Sequence, residues 1–175
     1  MAKPKLSDFK NYLREMTEVE LREELLKLFG KLTQVQEFYA QELLSGDDRK
    51  AMLDDHKKKI YNHFYTRTGN PRSPNNAEIR KRITAFEKAS VFPIEVIDLL
   101  LYRVEVATAF ASEFGGMPDA DYNAAYNAFE KAMKLTKAQK LEDYVRVRCQ
   151  ELFKAADIDY WFIEWLEGSF EEHIG

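Results

Sequence analysis

The stretch PIEVIDLLLYRVEVATAFASEF, residues 93–114, decides the fold class. Pro93 has no N–H to lose and suits the first turn of a helix. Behind it Val96, Ile97, Leu99, Leu100, Leu101, Val104 and Phe110 surround the rod on nearly every side. A helix that is apolar almost all round is a buried one, so this segment is the predicted central element. Glu95 and Asp98 keep its apolar run far short of the roughly 20 residues that a membrane span needs. Gly115-Gly116 and Pro118 supply the stop.

Helical signals continue outward in both directions. Ser7 is the expected cap of a first helix through Phe9, Leu13 and Met16. Thr17-x-x-Glu20 reads as a capping box that opens a helix through Leu21, Leu25, Leu28 and Phe29, with Gly30 as its end. Thr33-x-x-Gln36 reads as a second box, opening a helix that Gly46 stops. Asp47 or Asp48 then caps a helix through Met52, His56, Ile60 and Phe64. The segment Thr68 to Asn76, with Pro71 and Pro74, is the clearest loop, and Ile79, Ile83 and Phe86 space the helix beyond it. After Pro118, helices are expected over about Ala120 to Leu135, Lys137 to Ala155 and Asp159 to His173.

Strand-type alternation is absent, and only seven Gly and five Pro occur in 175 residues. The prediction is therefore all-α. One domain, residues 1–175, folds as a compact bundle of about eight helices in antiparallel hairpins around the central one. Its 45% hydrophobic and 13% aromatic content suffices for a core without disulfides. Cys149 has no second cysteine to pair with and reads as a half-buried helical thiol. Residues Met1 to Leu6 carry no apolar targeting core, and the chain reads as cytoplasmic.

Tyr122 to Leu135, with Ala125, Ala128 and Ala132 beside Tyr126 and Phe129, resembles the second helix of a tetratricopeptide hairpin. No further copy follows at the ~34-residue period of such arrays. One helical hairpin with residues 102–114 is the reading, so no peptide groove follows from it. Three segments together resemble a family of small bacterial helical proteins catalogued as a domain of unknown function. They are Leu6-Ser-Asp-Phe9-Lys10-x-Tyr12-Leu13-x-x-Met16-Thr17, Ile94 to Tyr102 and Ala128 to Leu135. The resemblance implies a bacterial cytoplasmic helical protein and supplies no catalytic or binding residues.

Charge is segregated. Between His56 and Lys88 nine Lys or Arg face two Glu, although the whole chain has a net charge of −4. A helix–loop–helix whose cations converge at its tip would meet an anionic partner, either an acidic protein surface or a nucleic acid. Its candidate residues are Lys57, Lys58, Arg67, Arg72, Arg80 and Arg82. The competing reading is a solvated surface whose lysines pair locally, Asp54 with Lys58 and Asp55 with Lys59. An enzyme or small-molecule binder with a pocket between hairpins, using His56 or His63 as the titrating group, is the alternative. A homodimer on the face of Trp161 and Trp165, with Ile158 on the same stripe, is a third reading.

Other chemistry lacks its motif. His56 and His63 are seven apart, with Asp54 and Asp55 beside the first and Asp157, Asp159 and His173 distant, and no metal-ligand spacing joins them. No nucleophile elbow or glycine-rich phosphate loop occurs. No cofactor, metal or catalytic residue is assigned.

Overall fold

The structure, a computed structural model, describes residues 5–155 and 160–175. Among the described residues it has nine helices, one more than about eight, and no strand beyond a single isolated bridge. The chain divides into two compact units, Met1–Leu43 and Leu44–Gly175.

The first unit holds α1 (Leu6–Arg14), α2 (Glu18–Lys31) and α3 (Thr33–Leu43). Lys5, not Ser7, caps α1, because the Asp8 carboxylate three residues on accepts the Lys5 N–H at 2.9 Å. Lys10, three residues beyond Ser7, could not return such a bond. The Thr17–Glu20 box forms as read. Its helix runs one residue past Gly30, and Thr33 lies inside α3, where the Gln36 amide donates to the Phe29 carbonyl instead. Rings of Phe29 and Tyr39 meet at 6.5 Å where α2 packs on α3.

The second unit holds α4 (Gly46–Tyr61), α5 (Asn76–Ala89), α6 (Pro93–Phe114), α7 (Asp119–Gln139), α8 (Glu142–Ala155) and α9 (Tyr160–Ile174). The predicted central helix is α6: twelve of its residues are buried, and it packs on α4, α5 and α7. Gly46 begins α4 and does not stop α3. Ser45 is the cap, accepting from the Asp48 N–H and donating to the Asp48 carboxylate. Gly115 ends α6 at φ 77°, a conformation that suits glycine. Buried Ala125, Ala128 and Ala132 then let α7 lie close on α6.

The helix from Ala120 continues to Gln139, and the break falls at Lys140, which takes φ 57° while Leu141 N–H reaches back to the Thr136 carbonyl. A lysine in a left-handed cap leaves no sequence signal. Cys149 is fully buried, and burial pushes its thiol up to about 12.

Candidate functional site

The six sequence-selected cations do not converge. Leu53 and Ile60 mark the buried stripe of α4, and Lys57 and His56 flank it on opposite sides. Lys57 turns to α6, where its ammonium pairs with Asp98 at 2.9 Å over the Tyr102 ring. Lys57 is thus a helix-to-helix contact, its charge already met by Asp98. Lys59 pairs with Asp55 and Lys81 with Glu78, the second at a loose 3.8 Å. Lys58 lies on the solvent side of α4 and Arg67 in the turn that follows, both exposed. Arg72 is held there too, its guanidinium donating to the Asn62 carbonyl at 3.2 Å.

That turn is more ordered than a bare loop. Tyr65 and Pro71 form a bridge, Thr66 N–H meets the Asn70 carbonyl at 2.8 Å, and Arg72 N–H meets the Phe64 carbonyl at 2.8 Å. Phe64 and Tyr65 are buried beneath it, so the tip is anchored to the core.

On α5 the buried residues Ile79, Ile83 and Phe86 separate Arg80 from Arg82, which project to opposite flanks. Arg82 faces His56 of α4 and His63 in the turn beyond it. The His56 ring lies 5.0 Å from Phe86. Burial lowers the imidazole pKa of His56, and the nearby Lys59 and Arg82 charges lower it further. Burial likewise lowers His63, with help from Arg82 and Arg72. Nδ1 of both rings and Nε of Arg82 are buried without a hydrogen-bond partner.

Arg80 faces the other way, into a cavity of about 390 Å³ between α5, α6 and α7. The cavity extends along α5 from Asn76 and Ala77 past Arg80 to Thr84, and along α7 from Ala124 to Lys131. Ile79, Ile83 and Leu100 supply apolar wall, and Arg103 of α6 lies one turn from Leu100. The Arg103 side chain is 1% exposed, the largest of the fully buried side chains. Its Nη2 donates to Asn76 Oδ1 at 2.8 Å, Asn76 in turn donates to the buried Asp121, and the guanidinium covers the Phe64 ring at 4.7 Å. Nη1 has no partner. Burial lowers the Arg103 pKa to about 10, with only partial relief from the Asp121 charge.

Sequence reasoning missed Arg103 because it sits inside the most apolar helix. The available signal was its isolation as the only cation in residues 93–114. A charge in a wholly buried rod must find a partner or a cavity.

Trp161 and Trp165 lie edge to face at 5.1 Å, resting on Tyr122 and Tyr126 of α7, and both remain near half exposed. Asp157, Ile158 and Asp159 lie outside the described residues. Among the described residues, no three His, Cys, Asp or Glu side chains gather closely enough to hold a metal ion. None of the described helices is long and apolar enough to cross a membrane.

Comparison with curated proteins gave no match, and neither did comparison with solved structures. A family model does match, over residues 2–165, nearly the whole chain. With its all-helical architecture, this chain belongs to the family of unknown function DUF6155.

Proposed function

We propose that the protein is a ligand-binding module that takes a small anion into the cavity between α5, α6 and α7. The observation that carries this reading is Arg103: a guanidinium withdrawn from water, hydrogen-bonded to one neutral amide and with one buried nitrogen left unpartnered, in a residue that lines the cavity. A buried cation of this kind is destabilising until an anion or a further acceptor reaches it. Arg80 and Lys131 add positive charge to the same wall, and the first turn of α5 presents the favourable end of a helix dipole. The reading joins the anionic partner and the inter-helix pocket, which the sequence had kept as separate alternatives.

Isothermal titration of the full chain with inorganic phosphate and with simple carboxylates tests it. Binding by at least one class, lost or strongly weakened in Arg103→Met, is the expected result. No heat with either class ends the reading.

A second reading concerns the α4 side. Arg67, Arg72 and Arg82 have no carboxylate pair among the described residues, and Arg72 and Arg82 both act on His63. An acidic protein surface or a nucleic acid would meet them there, with affinity falling steeply as salt rises. Reversal of Lys58, Arg67 and Arg72 to Glu removes such binding, and a salt-independent interaction argues against it.

A further inference from the structure

Resting on the cavity reading above, we propose that the ligand is a small monocarboxylate with an apolar body: a carboxylate held by Arg103 and Arg80, its hydrocarbon part lying against Ile83 and Leu100. The charge balance of the wall points to a single negative charge. Three cations line the cavity, but Lys131 is paired with Glu87, and Arg103 shares the field of Asp121 through Asn76. Three cations less the two acids Glu87 and Asp121 leave the wall one net positive charge, with no acid paired to Arg80 among the described residues and Arg103 only partly offset. A dianionic phosphate would bring one negative charge too many into a part-buried site, where unbalanced charge is costly.

The layout of the wall supplies the rest of the argument. The Arg103–Asn76 contact marks one end of the cavity and the Lys131–Glu87 pair the other. Between them Ile79, Ile83, Leu100 and Ala128 offer carbon surface, with Thr84 and Asn127 as polar neighbours. A ligand with a charged head and an apolar tail matches that order: the head offsets the Arg80 and Arg103 charges, and the tail displaces water from the aliphatic wall. A compact hydrophilic anion would occupy only the first part and leave the remainder wet.

The test compares hexanoate, acetate, inorganic phosphate and neutral hexanol on the full chain by calorimetry. Hexanoate is expected to bind at least about tenfold more tightly than each of the other three, the size of effect that one charge-assisted hydrogen bond or a few buried methylenes supply. Arg103→Met and, independently, Arg80→Met should each weaken hexanoate about tenfold, so that a folding defect in the first variant leaves the second to decide. Phosphate or acetate binding as tightly as hexanoate overturns this inference and leaves an anion cavity standing. Hexanol binding equal to hexanoate, or no binding by hexanoate and phosphate alike, overturns both.

Discussion

Two arginines, Arg103 buried and Arg148 half-buried, lie on different sides of α6, and their surroundings could hardly differ more. On the α8 side, Arg148 reaches Asp98 at 2.6 Å and also pairs with Glu105. Burial opposes its charge, yet the Glu105 and Asp98 carboxylates win and raise its pKa above the ordinary arginine value. The groove beside it carries further acid, Glu113 and Glu151. Between α5 and α7, Arg103 is more deeply buried, has no carboxylate in contact and is lowered to about 10. Equal chemistry in unequal company separates a clamp from an unmet demand. A buried charge that is paired holds helices together, whereas one that is under-paired beside a cavity is poised for a ligand.

Removing the clamp should have the largest effect. Arg148→Ala leaves Glu105 without its cation and Asp98 with Lys57 alone, and urea unfolding should show a loss of about 2–3 kcal/mol, less than for a wholly buried pair because Arg148 is partly exposed. A loss under about 0.5 kcal/mol would make the two arginines alike and break the contrast. Arg103→Met should change stability far less, by within about 1 kcal/mol, because an apolar chain of similar length replaces a poorly satisfied charge. A loss as large as that of Arg148→Ala would show Arg103 to be a structural keystone.

The Arg82 flank sharpens the comparison with groups that can surrender their charge. His56 and His63 have folded pKa values below the ordinary 6.5. Above pH 6.5 both are neutral whether folded or unfolded, so they are silent there. As pH falls below 6.5 the unfolded chain takes up protons first, and stability declines until the folded values are passed. Melting curves between pH 7.5 and 5 should show that decline, and His56→Gln with His63→Gln should flatten it. A wild-type profile that matches the double variant would mean the imidazoles titrate as if in water. Lys58→Glu and Arg67→Glu should move stability least, by under about 0.5 kcal/mol each, since neither cation is desolvated. A larger shift would place a hidden partner beside them.

Much of the fold was legible before any coordinates. Residues 93–114 announced the central helix by having no polar face, and Thr17–Glu20 announced a helix start through a box that forms as read. Where boundaries slipped, a local bond decided against the expected residue. Ser45 with Asp48 outcompeted the reading of Gly46 as a stop, and Lys140 took the left-handed cap that glycine would have advertised. The site was far less legible. The density of cations between His56 and Lys88 is a property of the chain, but whether they meet depends on which flank of a buried stripe each one occupies. Arg80 and Arg82 are two residues apart and serve different neighbours for that reason.

By itself, then, the sequence determined the helices and the identity of the rod at the centre, because periodicity and composition act locally along the chain. Only the tertiary structure decided that Lys57 is held by Asp98, that Arg148 is saturated and that Arg103 lies beside an open cavity without a carboxylate. Desolvation and charge pairing depend on distances across helices far apart in sequence, and the order of residues does not carry those distances.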